Sequence, residues 1–170
     1  MNKCMNGKDF GKGFYLTSDL NQARSFIRSS LIKAQNSGIA PLSQDYGYVS
    51  SFRYHVPEAE IAVHEFEKAD REWLWFISQN RRKRLAQDLI PLIDADIFRA
   101  EIIIGKIAND TTNPVITTYL NGLYGGIKEE KAVNFAIEQL LPDHLSDQYC
   151  FLTEEAIGCL EFQEVRKYVI

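Results

Sequence analysis

The residue types best suited to chemistry gather in a glycine-aromatic cluster near the start of the chain, Asp9-Phe10-Gly11-Lys12-Gly13-Phe14-Tyr15-Leu16-Thr17. Taken from Gly7, it superficially resembles a phosphate-binding loop. The second glycine comes one residue too early for G-x-x-x-x-G-K-[ST], and Gly13 stands where a Mg²⁺-binding hydroxyl is required. No third glycine completes a G-x-G-x-x-G, and no G-x-S-x-G elbow occurs. His55, His64 and His144 lie far apart, without metal-ligand spacing, and read as surface or packing histidines. Glu58, Glu60, Glu65, Glu67, Asp70 and Glu72 crowd one stretch and read for the most part as a solvated face, with a carboxylate pair for acid-base work as the sharper alternative. The run Arg81-Arg82-Lys83-Arg84 reads as a solvated helix end, with a small anion or nucleic-acid contact as the sharper alternative.

The glycine cluster feeds a short strand, and the elements after it must position whatever it binds. Asp19, with Gln22 three residues on, forms a capping box for a helix over 19–36. Leu20, Ala23, Phe26, Ile27, Leu31 and Ala34 recur along that helix at its period, and Gly38 and Pro41 stop it. Tyr46–Val56, ended by Pro57, and Ile61–Phe66 read as strands. Asp70 caps a helix with Trp73, Phe76 and Ile77 on one face. Phe98–Ala108 holds Ile102-Ile103-Ile104 without a polar break, as a strand buried on both faces would. Asn109–Pro114 is a turn and helix start, followed by helices at 114–124 and 129–141, the second stopped by Pro142. Gln148–Leu152 is a short strand, Thr153 caps one helical turn, and Leu160–Val169 is a last strand. Strands and helices without regular alternation predict an α+β class.

Composition sets the outer bounds. The 170 residues are 45% hydrophobic and 25% charged, which predicts one domain with its own core over 1–170, after a poorly ordered start at 1–9. Nineteen basic against 23 acidic residues leave a formal charge of −4, which disfavours a phosphate-binding nucleic-acid domain. No apolar run approaches the ~20 residues needed to span a bilayer, and the first nine residues lack a signal peptide's apolar region. Cys4, Cys150 and Cys159 are odd in number and scattered, unlike a disulfide scaffold or zinc site. A cytoplasmic protein is the expectation.

Two clusters carry a family resemblance. Phe10-Gly11-Lys12-Gly13-Phe14-Tyr15-Leu16-Thr17-Ser18, and later Asp147-Gln148-Tyr149-Cys150-Phe151-Leu152, together resemble the ADP-ribosyltransferase superfamily on its diphtheria-toxin-like and poly(ADP-ribose) polymerase side. There an F-G-K-G-[IF]-Y segment carries the tyrosine of a His-Tyr-Glu triad, and a late strand opening N-E-Y carries the glutamate. Glu72-Trp73-Leu74 before Asn80-Arg81, and Ile104–Asp110, look like a bacterial branch of uncharacterised members, often encoded beside a small antitoxin-like protein.

The resemblance, which covers roughly residues 8–160, implies cleavage of the nicotinamide–ribose bond of NAD⁺ without a metal. It assigns Tyr15 to the triad tyrosine, Phe26 to a second ring on the following helix, and Ala23 to a small residue near the carboxamide. Aromatic faces suit a flat cationic leaving ring. Gly11 and Gly13 would let backbone approach the cofactor. Read without the resemblance, Tyr15 is an ordinary strand residue and Phe26 a core-facing one.

Gln148 stands where the family has glutamate. It can still hydrogen-bond a ribose hydroxyl but brings no charge. That loss would slow the step by ~10²–10³-fold, and implies mono- rather than poly-ADP-ribosylation, or weak activity. Glu154 and Glu155 lie too far along to replace it simply. The family's first strand ends in His-Gly, and no histidine precedes Phe10. The expected fold is thus a split-sheet ADP-ribosyltransferase-like core with flanking helices but without the first strand, leaving a sheet edge exposed or covered by a partner chain. Three functions follow. They are an NAD⁺-dependent mono-ADP-ribosyltransferase acting as the toxin of a toxin–antitoxin pair, a catalytically inactive module for protein interaction or NAD sensing, and a 2′-phosphate-transferring enzyme on RNA, which the acidic charge disfavours.

Overall fold

The computed structural model describes residues 7–56, 60–107, 112–140 and 147–170. The elements are β1 (Phe14–Thr17), α1 (Leu20–Asn36), β2 (Tyr46–Tyr54), β3 (Val63–Glu65), α2 (Arg71–Arg81), β4 (Ile102–Lys106), α3 (Thr112–Leu120), α4 (Glu130–Leu140), β5 (Asp147–Phe151), α5 (Glu154–Ile157) and β6 (Leu160–Val169). The expected α+β class is observed. The readings placed on Cys4, Pro57, Glu58, Ala108, Asn109–Thr111, Pro142 and His144 fall outside the described residues.

Local chemistry sets most boundaries. The Asp19 carboxylate accepts from the Asn21 and Gln22 amides at 2.8 and 3.4 Å and starts α1. The expected capping box is not reciprocal, because Gln22 reaches Thr17 Oγ1, and it is Thr17 that receives the Asp19 amide. Gly38 ends α1 at φ 71°, with bonds from Gly38 N to Gln35 O and from Ile39 N to Ala34 O. Gly122 ends α3 by the same motif, from Gly122 N to Tyr119 O and from Leu123 N to Thr118 O. That is why this helix stops at Leu120 rather than at 124. The strand expected from Phe98 starts only at Ile102, because Ile97–Arg99 forms a 3₁₀ turn behind the Asp94–Asp96 bond.

Four strands form one sheet in the order β1-β5-β4-β3, antiparallel except for the β3–β4 pair. β2 and β6 form a separate antiparallel ribbon. Among the described residues β1 pairs only with β5, so its other edge carries no strand. The Ile102–Ile104 run is buried on both faces, as its unbroken apolarity predicts. Ile103 and Cys150 join the larger core with Trp73, Leu74, Ile77, Tyr119 and Val133 of the helices. Ile102, Ile104 and Phe151 join a smaller core where Tyr54 and Leu160 of the ribbon pack. Edge-to-face rings, Phe14 on Phe52 and Tyr54 on Tyr149, hold the ribbon against the sheet.

The loop before β1 is anchored from below. Phe10 is 1% exposed and lies among the rings of Phe66 and Phe76, with centroids 5.9 and 6.3 Å away. It fits there because Gly105 has no side chain, since a Cβ would stand 3.2 Å from the Phe10 ring. Phe10→Ala is expected to cost about 3–5 kcal/mol, read as a lower urea midpoint at unchanged slope.

Candidate functional site

A cleft of about 860 Å³ opens between the β1–β5 end of the main sheet, helix α1 and strand β2. The pleat decides which side chains reach it. Thr17 pairs with Gln148, Tyr15 with Cys150 and Gly105 with Gln148, so these residues share the sheet face that packs under α2. Tyr15, Thr17 and Gln148 line the cleft. From α1 come Leu20, Ala23, Phe26 and Lys33, and from β2 come Tyr48 to Phe52. Lys8, Asp9 and Arg81 complete one end.

The family-derived residues therefore divide. Tyr15, Ala23, Phe26 and Gln148 meet at one cleft, although they are scattered from residue 15 to residue 148. Phe26 is 53% exposed, while its neighbour Ile27 is the buried residue of α1, so the core-facing alternative for Phe26 is not what is observed. Gly11 and Gly13 do not line the cleft. Gly11 makes a tight turn at φ 93° against Asn80. Gly13 packs its bare Cα against Cys150 Sγ and the Phe151 carbonyl, where no Cβ would fit. Glu154 and Glu155 are exposed and do not line the cleft.

The Tyr15 hydroxyl is committed to the loop that precedes it. It donates to the Gly11 carbonyl at 2.7 Å and accepts from the Phe10 amide at 3.1 Å, closing the glycine turn as a clasp. Burial above all, and then Cys150, push this hydroxyl far above the ordinary tyrosine range. It stays protonated and is no general base. What Tyr15 offers the cleft is its ring.

Beneath the clasp lies a polar cluster that no sequence motif announced. Asp9 was expected in a featureless start, but it is only 3% exposed. One carboxylate oxygen pairs with Arg81 Nε, and the other accepts from Gln148 Nε2 at 3.0 Å. Asn80 Nδ2 donates to the Asp9 carbonyl at 3.0 Å. Helix α2 positions both partners. Asp70 caps it, and Trp73 Nε1 donates to the Lys106 carbonyl at the end of β4. Its last turn then delivers Asn80 and Arg81 to the loop. The basic run is thus not one solvated stretch. Arg81 is largely buried on Asp9, Arg82 Nε donates to Thr117 Oγ1 at 3.0 Å, and only Lys83 and Arg84 are exposed. The one signal in the sequence was an acidic residue directly before the conspicuous F-G-K-G.

The other candidates behave as plain surface or structure. His55 pairs with Glu161 at 2.9 Å on the exposed ribbon, and His64 meets the Phe66 ring edge-to-face. Glu60, Glu65 and Glu67 are exposed, while Asp70 caps α2. Among the described residues no group of three His, Cys, Asp or Glu could hold a metal ion. Among them, too, no helix is long and apolar enough to cross a membrane.

Fold and site define an α+β protein whose four-stranded sheet and two-stranded ribbon flank a ligand-sized cleft. The chain belongs to a family described as protein of unknown function (DUF3990), whose model matches residues 1–162. No curated protein and no solved structure matches the chain.

The clasp has a pH signature. The folded state holds the Tyr15 proton more tightly than the unfolded state, whose tyrosine titrates near 10.0. Stability is therefore full below that value and falls as pH rises above it. Tyr15→Phe should flatten this alkaline loss, seen by denaturant titration between neutral and strongly alkaline pH. The same variant leaves the Phe10 amide without its acceptor and should cost about 1–3 kcal/mol at neutral pH.

Proposed function

We propose that the chain is an NAD⁺-dependent mono-ADP-ribosyltransferase of the ADP-ribosyltransferase-like split-sheet type. One observation carries the reading. Four residues selected by resemblance alone, Tyr15, Ala23, Phe26 and Gln148, line a single cleft. Its volume falls in the roughly 300–1,000 Å³ of small-molecule sites. The four-strand sheet with a detached ribbon also agrees with a split-sheet core.

The lining suits the parts of the dinucleotide. The rings of Tyr15 and Phe26 can take the flat nicotinamide cation on their faces. Ala23 leaves room beside them. Lys8 and Lys33 bring positive charge for phosphates, with serine and threonine hydroxyls also in the lining. Gln148 offers an acceptor for a ribose hydroxyl.

In the transfer, the bond from the ribose anomeric carbon to nicotinamide breaks, and its electron pair stays on the ring nitrogen. A nucleophile of the acceptor bonds to the same carbon and passes its proton to solvent water. The Tyr15 ring would hold the leaving group, while its hydroxyl, already engaged with the loop, takes no proton. The resemblance adds a setting to this chemistry: a cytoplasmic toxin restrained by a small antitoxin-like protein.

The experiment is incubation of the protein with NAD⁺ and measurement of free nicotinamide and of mass gained by components of a cell extract. Release above a Tyr15→Ala control is expected, and its absence would sink the enzymatic reading. Saturable NAD⁺ binding without release would instead favour the inactive sensing module. Phe26→Ala should weaken NAD⁺ binding about tenfold or more, as loss of one aromatic stacking partner does. Because Phe26 is half exposed, its melting temperature should barely move. An unfolded variant would return Phe26 to a core role.

A further inference from the structure

We propose that Asp9 is the positioning residue of this cleft, fixing the Gln148 amide so that its carbonyl oxygen faces the ligand and supplying the negative charge that Gln148 lacks. The inference rests on the NAD⁺ reading for its ligand but on geometry for its mechanism.

Gln148 is a buried polar side chain, 7% exposed, at the wall of the cleft. Its Nε2 donates to Asp9 Oδ2 at 3.0 Å. A carboxylate only accepts hydrogen bonds, so the group facing it must be the amide nitrogen, and the orientation of Gln148 follows from chemistry alone. Among the described residues none donates to Gln148 Oε1. Its Oε1 is an acceptor at the wall of the cleft, open to a donor from whatever enters the site. That donor would be a hydroxyl, which in an N-glycoside belongs to the ribose.

Asp9 is held for this task from three sides. Phe10 anchors the loop in the core, Asn80 holds the Asp9 carbonyl, and Arg81 occupies the carboxylate oxygen that Gln148 does not. The carboxylate therefore sits one hydrogen bond behind the amide, in a water-poor position; Arg81 offsets part of its charge, and the rest acts on the cleft through the polarised Gln148 amide. Positive charge gathers on the ribose as the nicotinamide bond breaks, so the arrangement favours the transition state over the bound substrate.

The arrangement also explains why glutamine suits position 148. A glutamate there would put two carboxylates in hydrogen-bond contact, and like charges so close cannot both stay ionised. Restoring the superfamily's glutamate should thus impair this protein unless Asp9 is changed with it.

Four proteins form the test: wild type, Asp9→Asn, Gln148→Glu and the exchange variant Asp9→Asn/Gln148→Glu. The exchange variant keeps one negative charge beside Arg81, so it guards against misfolding of the singles. The first readout needs no NAD⁺. In the ligand-free protein, the Gln148 side-chain amide protons should exchange slowly by NMR. They should move upfield and exchange faster in Asp9→Asn, where a charge-assisted bond becomes a neutral one. If they do not move in folded protein, the proposal is overturned.

The second readout is steady-state release of nicotinamide. Asp9→Asn should lower kcat about 10–10²-fold with KM within about threefold, the pattern of a lost transition-state interaction. Gln148→Glu should fall at least as far, and the exchange variant should recover activity above both singles. A Gln148→Glu protein more active than wild type would overturn the proposal. If the amide protons respond to Asp9→Asn but wild type neither binds NAD⁺ nor releases nicotinamide, the positioning role stands and the NAD⁺ reading falls.

Discussion

Burial of one carboxylate organises the working end of this protein. Asp9 sits beneath the glycine loop with Arg81 on one oxygen and Gln148 on the other, tying together three segments remote in sequence. A buried charge is tolerated only when it is paired and hydrogen-bonded. The loop before β1, the last turn of α2 and the first residues of β5 must therefore arrive at one point together. The other features of the cleft are built around that requirement. Gly105 makes room for Phe10, Phe10 pins the loop, and the Tyr15 hydroxyl closes it from above.

This arrangement gives the F-G-K-G-F-Y segment two roles that its letters do not separate. Phe10, Gly11 and Gly13 are architectural: an anchor in the core, a left-handed turn and a close packing site against Cys150. Tyr15 is both, since its hydroxyl serves the loop and its ring serves the cleft. A glycine outside the lining of the cleft can still be indispensable, because it lets the residues on either side reach their places.

Helix α1 shows the complementary case. Its apolar residues recur at helical spacing, and that pattern alone predicts a helix seated on a core. Only Ile27 is buried, while Leu20 and Phe26 remain about half exposed. The helix packs on β2 by one edge and leaves Leu20, Ala23 and Phe26 of its apolar stripe as a wall of the cleft. Periodicity identifies the apolar face of a helix, but not whether protein or ligand will cover it.

Local chemistry settled much of the structure in advance. The Asp19, Asp70 and Thr153 caps, the Gly38 stop, the doubly buried Ile102–Ile104 strand and the β6 span all follow from short-range residue preferences and from patterning. The sequence by itself therefore determined the α+β class, nearly every element, and four of the residues that line the cleft. It could not show that β2 and β6 leave the main sheet to form their own ribbon, because strand pairing is decided by long-range packing. Nor could it raise Asp9 from a polar start or Arg81 from a basic run. A charged side chain looks the same in a sequence whether water or a counter-charge surrounds it, and only the tertiary structure decides which of them is desolvated and paired.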